Sequence, residues 1–180
     1  MSAQSKESLQ NLRVSARLDI FKISGNKNNI TNTTLSPLHT TWDEFSNDLK
    51  KPEIGTKDGS YFTRCSGSKR NNKDTDDTAS ILILDGDSSL NSDGEIIPGA
   101  PHPKRVSAVL RKLGISHCIY SSYSNGCNKA NEESGCDPNY HKYRVIIPCH
   151  YHREQLDDLL KYIFAELHNS GVMLVNVKEN

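Results

Sequence analysis

Two aspartates one residue apart, Asp85 and Asp87, directly follow four aliphatic side chains, Ile81-Leu82-Ile83-Leu84. On an extended chain residues two apart point to one side, so the two carboxylates share a face and Gly86 turns away from it. Like charges that close repel unless a cation lies between them, and hard divalent ions such as magnesium or manganese take carboxylate oxygens. The pair has the makings of a metal site at the mouth of a buried strand. The plainer alternative is a strand end, since Asp-Gly is a common turn pair. Lys142 and Arg144 are a second pair with the same spacing, two cations on one strand face, and the planar fork of Arg144 suits phosphate. Their plainer alternative is a solvent-facing strand pair.

Zinc is the other metal to weigh. Cys127 and Cys136 flank a polar excursion, with His141, Cys149, His150 and His152 nearby. No tight Cys-x-x-Cys pair is present, so separate thiols in a loop fit the spacing better than a tetrahedral site. Cys65 and Cys118 read as buried small hydrophobes. His39, His102 and His117 are given no role.

The elements that must position these groups follow from periodicity. Residues up to about Arg17 form a tail or a loosely held helix, and Leu18–Ser24 alternates as a strand ended by the turn cluster Gly25–Asn29. Thr40 or Thr41 caps a helix through Trp42, Phe45 and Leu49, with Asp43 and Glu44 in its first turn and Trp42 in the core. Lys51–Thr78 is a basic, polar section carrying Lys57, Arg64, Lys69, Arg70 and Lys73, interrupted by a short strand at Tyr61–Cys65.

Ser80–Leu84 is a strand apolar on both faces. After the long loop Ser88–Pro101, Pro103 opens a helix with Val106, Val109, Leu110 and Leu113 at helical spacing and Gly114 at its end. Ile115–Ser122 is the next strand. The order strand, helix, strand predicts a right-handed crossover between two parallel neighbours, with Asp85 and Asp87 on the edge where such sheets bind ligands. Lys142–Pro148 is a hairpin partner of Ile119–Ser122. Arg153–His168 is an amphipathic helix closed by Gly171, and a last strand starts at Val172. The chain then stops at Glu179-Asn180, as a fragment of something longer would.

A length of 180 residues suits one mixed α/β domain, taken as residues 18–180 behind the 1–17 tail. Lysine plus arginine and aspartate plus glutamate both number 22, so no global positive field advertises nucleic acid, and anion binding must come from a local patch. No apolar run is long enough to span a bilayer, and the N-terminus lacks a signal peptide's apolar segment. Together with five scattered cysteines this points to a cytoplasmic protein with reduced thiols and no membrane partner.

From about Trp42 onward the chain resembles the archaeo-eukaryotic primase superfamily, in particular primase-polymerases of plasmids, phages and mobile elements. The resemblance rests on an ordered set. An apolar strand ends in Asp85-Gly-Asp87. A helix and a strand ending Tyr-Ser-Ser-Tyr-Ser (Tyr120 to Ser124) follow, and then the strand Lys142–Pro148 precedes an amphipathic helix. It implies a primase-like core with a hairpin-and-helix arrangement of RNA-recognition-motif type. It further implies templated joining of nucleoside triphosphates by two-metal phosphoryl transfer. Asp85 and Asp87 would hold two magnesium or manganese ions, with Glu179 where a third carboxylate belongs. Ser122, Ser124, His141, Lys142 and Arg144 would line the triphosphate site, and Arg64 and Arg70 are further candidates for template or phosphate. The family's serine-x-histidine motif is not reproduced: no histidine stands two residues after Ser122 or Ser124, and His141 is the nearest. A single-stranded DNA template is the implied partner, with a helicase segment or replication protein beside it.

Two other classes fit parts of the pattern. Phosphohydrolases of the haloacid dehalogenase type also place Asp-x-Asp after an apolar strand, but continue Asp-x-Asp-Gly-Thr where this chain has Asp87-Ser88-Ser89. A primase-like module without catalysis, docking DNA or a replication partner, is the non-enzymatic alternative.

Overall fold

The computed structural model describes residues 20–26, 33–51, 61–71, 73–96, 99–126, 137–172 and 177–179, with the backbone alone given for 177–179 and for most of 20–26. These residues fall into two compact units, Met1–Leu82 with Ile147–Leu160, and Ile83–Ile146 with Lys161–Asn180.

In the first unit, strands β1 (Ile20–Asn26), β2 (Ser36–Thr41) and β3 (Tyr61–Thr63) form an antiparallel sheet in the order β2-β1-β3. The predicted strand at Leu18–Ser24 is β1, its first two residues and the tail before them lying outside the described residues. Thr41 ends β2 and caps helix α1 (Trp42–Leu49). Its hydroxyl accepts from the Glu44 amide at 3.2 Å, while the Glu44 carboxylate accepts from the Thr41 amide at 3.0 Å. This reciprocal cap satisfies two amide donors that a helix start leaves open, worth about 1 kcal/mol. Trp42, expected in the core, is half-buried. The inward positions of this two-turn helix are Phe45 and Ser46, and Phe45 meets the edge of Phe62 at 5.0 Å.

Between Ser66 and Asp76 the described residues of the basic section form bonded turns. Leu35 N donates to Ser68 O, Arg70 N to Thr33 O, Ser68 N to Asp74 O and Asp76 N to Ser66 O. The Asn71 side chain accepts from the amides of Lys73 and Asp74, as turn asparagines do.

In the second unit lie the end of strand β4 (Thr78–Asp87), helix α2 (Pro103–Lys112), strand β5 (Cys118–Ser121), the start of strand β6 (Lys142–His152) and strand β7 (Val177–Glu179). The four strands are ordered β5-β6-β4-β7. β5 runs antiparallel to β6, and β7 to β4. Helix α3 (Leu156–Asn169) follows β6 after a 3-10 turn, so strands and helices succeed one another as β-α-β-β-α-β, the split arrangement of antiparallel α+β sheets. Buried leucines and Ile163 line α3 at helical spacing, and Gly171 ends it with φ +72°.

The predicted adjacency of β4 and β5 is overturned: β6 lies between them. Its run Val145-Ile146-Ile147 is buried on both faces and demands a central place, whereas β5 is short, partly exposed and suited to an edge. The hairpin β5-β6 is as expected. The last strand begins at Val177, residues 173–176 lying outside the described set. Among the described residues no helix is long and apolar enough to cross a membrane.

Candidate functional site

β4 does not turn at Asp85-Gly86-Asp87 but stays extended through Asp87. Its register against β6 follows from one bond past the strand end, Ser88 N donating to His141 O at 2.9 Å, which sets Ser88 opposite His141. Stepping back along antiparallel strands puts Asp87 opposite Lys142, Gly86 opposite Tyr143 and Asp85 opposite Arg144. The β5-β6 pairing sets Tyr120 opposite Arg144, and Ser122 N donates to Lys142 O at 2.8 Å, extending that ladder to Ser122. Residues directly opposite each other share a face. Two rows therefore cross three strands on one face: Asp85, Arg144, Tyr120; and Asp87, Lys142, Ser122.

The charges meet along these rows. Arg144 Nε donates to Asp85 Oδ1 at 2.9 Å, and Lys142 Nζ lies 3.8 Å from Asp87 Oδ1. The Asp85 side chain is 11 % exposed, that of Asp87 43 %. Burial pushes the Asp85 carboxyl above the usual aspartate range, Arg144 pulls it back, and Asp87 adds a smaller upward push. Burial works against the Arg144 charge, but neighbouring Tyr120 and the bonded Asp85 carboxylate more than offset it. Burial likewise pushes the Tyr120 phenol up.

On the opposite face Gly86 meets the ring of Tyr143, whose hydroxyl donates to Pro101 O at 2.7 Å, just ahead of α2. Ser88, fully buried, accepts from Ala100 N at 2.9 Å through its hydroxyl. These two bonds fasten the far end of the 88–101 loop, Ala100 to the loop's own start beside β4 and Pro101 to β6.

A cleft of about 430 Å³ opens near the start of α2, with His102, Lys104, Ile119, Ser121, His141 and Tyr143 in its lining. Neither Asp85 nor Asp87 lines it. His141 belongs here: its ring stands 4.9 Å from that of His102, and burial together with that neighbour holds its pKa below the usual imidazole range. Strand alternation explains the placement, since His141 is one step out of phase with Lys142 and Asp87. His102, given no role from sequence, caps α2 by accepting from Lys104 N at 3.2 Å.

Of the residues singled out from sequence, Asp85, Asp87, Lys142, Arg144 and Ser122 thus come together on one face. Ser124 sits beyond them in a turn pinned by Asn125, which donates through its amide to Ser122 O and accepts from Lys142 N through its side chain. Glu179 stands opposite Leu84 in the β4-β7 register, one place along from the Lys178–Asp85 pair, and its side chain lies outside the described set. Arg64 and Arg70 belong to the first unit, Arg70 with its guanidinium 5.0 Å above the Tyr61 ring. Tyr120 was not singled out, although its spacing from Ser122 on an alternating strand places both on one face.

Two carboxylates side by side fit magnesium or manganese, which use one or two protein carboxylates and complete their shells with water and substrate phosphate. Among the described residues no group of three or more His, Cys, Asp or Glu side chains is gathered for a metal ion. Cys127 and Cys136 lie outside the described residues, and Cys65, Cys118 and Cys149 are buried. No protein-family model, curated protein or solved structure matches the chain.

Proposed function

We propose that this chain is a nucleotidyltransferase of primase-polymerase type, which joins nucleoside triphosphates on a single-stranded DNA template in the replication of a mobile element. One observation carries this: two acids and two cations with a serine occupy adjacent rows of one sheet face, anion-binding groups directly beside metal-binding ones. Asp85 and Asp87 would hold magnesium or manganese, and Glu179 is left out because it pairs with Leu84, one step out of phase with the two acids. The bound ions would supply charge neutralisation and alignment of the attacking and leaving oxygens. Arg144, Lys142 and Ser122 would receive the triphosphate, Arg144 through its fork, and Ser124 extends that edge. Asp85 holds the guanidinium through Nε, so it is positioned before a ligand arrives. Arg64 and Arg70 are proposed as template contacts, and a helicase or other replication protein as partner, on the resemblance alone. His141 is left out because it faces the α2 cleft.

The test is manganese- or magnesium-dependent incorporation of labelled ribo- and deoxyribonucleotides on a single-stranded template. Asp85→Asn and Asp87→Asn should each lower incorporation on the order of 10²-fold or more. An intact chain that incorporates nothing with either metal, or variants as active as the parent, would sink the proposal. Hydrolysis of a chromogenic phosphate ester, lost in the same variants, would favour a phosphohydrolase.

A second reading has its own observation. Each acid already has a cation from the chain itself, as in a module whose acids are structural and which only docks DNA or a partner. A docking module would keep full DNA binding in the Asp85→Ala/Asp87→Ala double variant.

A further inference from the structure

Among the described side chains on one face of the second unit, two acids and two bases sum to zero charge, and each base sits on one acid: Arg144 Nε on Asp85 Oδ1 and Lys142 Nζ near Asp87 Oδ1. A divalent cation binding Asp85 competes for oxygens that the guanidinium holds. The Asp85 carboxylate, mostly buried, is costly to leave ionised without a cation, so something positive must stay on it. In this pair it is the base that reaches solvent, whereas Lys142 is 24 % exposed beside a more exposed Asp87. The Arg144 side chain is 42 % exposed, and the 3.8 Å contact of Lys142 is loose enough to give way.

We propose that Arg144 and Lys142 are exchangeable counter-ions: each neutralises its aspartate until a divalent cation takes that aspartate, and the freed base then binds the phosphates of a polyphosphate ligand. This rests on the metal-and-phosphate reading of the same face and adds a linkage to it. Without the exchange these four side chains offer a polyphosphate no net positive charge. With it, each divalent ion adds two positive charges and releases one base, so metal and polyphosphate favour each other's binding. Tyr120, opposite Arg144 in the β5-β6 register, stands in the same row.

The linkage makes opposite-signed predictions for acid and base variants, each measurable with one ligand at a time so that chelation of metal by nucleotide plays no part. Calorimetric titration with manganese alone should show tighter binding, on the order of ten-fold, in Arg144→Gln and in Lys142→Gln, because a competitor is gone. Titration with a non-hydrolysable nucleoside triphosphate in chelator should show weaker binding in those two variants. Asp85→Asn and Asp87→Asn should reverse both signs, losing manganese and gaining metal-free triphosphate. Circular dichroism reports folding, and should Arg144→Gln not fold, Lys142→Gln carries the test from its more exposed pair.

Manganese binding that is unchanged or weaker in the folded base variants overturns the exchange while leaving the metal site standing. Triphosphate binding that does not rise in the acid variants does the same. Absence of manganese binding in the parent and the base variants alike overturns the metal reading itself, and the exchange with it.

Discussion

Gly86 lies against the ring of Tyr143 across the β4-β6 ladder, so closely that a methyl carbon built on the glycine would collide with Cζ and both Cε atoms of the ring. The glycine between the two aspartates therefore serves space rather than a turn. Its neighbours face the charged rows while it leaves room behind them for an aromatic ring whose hydroxyl, bonded to Pro101 O, ties β6 to the start of α2.

Gly86→Ala should accordingly destabilise the fold by about 1–3 kcal/mol, as inserted core carbons do. Urea unfolding measures it. Adding Tyr143→Leu should recover part of the loss, and a double variant no better than the sum of its singles would contradict the packing assigned to this pair.

Asp85 sets a pH dependence with a definite sign. Its folded pKa is raised, chiefly by burial, so its contribution to stability is fully present below the ordinary aspartate value of about 3.9 and is lost as pH rises through the folded value. Asp85→Asn should flatten the stability-versus-pH curve across that window. Unfolding curves for parent and variant that stay parallel there would refute the assignment.

His117 works in the other direction. Its ring joins Ser107 of α2, through Nε2 at 2.8 Å, to Ile115 O, through Nδ1 at 2.9 Å. Burial lowers its pKa, the Ile115 carbonyl opposes that, and Arg111 adds to the lowering. Its contribution is present above about 6.5 and is lost as pH falls through the folded value. An imidazole titration followed by NMR should give a midpoint below the ordinary range, and His117→Gln should remove that part of the acid sensitivity.

Cys65, Cys118 and Cys149 are buried, and burial pushes the Cys149 thiol up to about 12. At pH 8 an aromatic disulfide reagent should leave these three unlabelled in the folded protein and label them in urea, since the thiolate is the reactive form. Peptide mapping by mass spectrometry distinguishes them from Cys127 and Cys136. Prompt labelling of Cys149 in the folded chain would contradict its placement.

The local chemistry was legible in the residues alone. The aliphatic run 81–84, the helical spacing of Val106, Val109 and Leu110, the cap at Thr41 and the terminating Gly114 and Gly171 each rest on interactions within a few positions of chain. Strand alternation alone put Asp85 with Asp87, and Lys142 with Arg144. Nothing local could say which strands are neighbours. That was decided by the burial of Val145-Ile146-Ile147 on both faces, which drew β6 between β4 and β5 and set Arg144 on Asp85 and Lys142 on Asp87. The same long-range register turned His141 toward α2 and gave Gly86 its ring to accommodate, because pairing across a sheet depends on the total surface each strand can bury, and no single segment contains that sum.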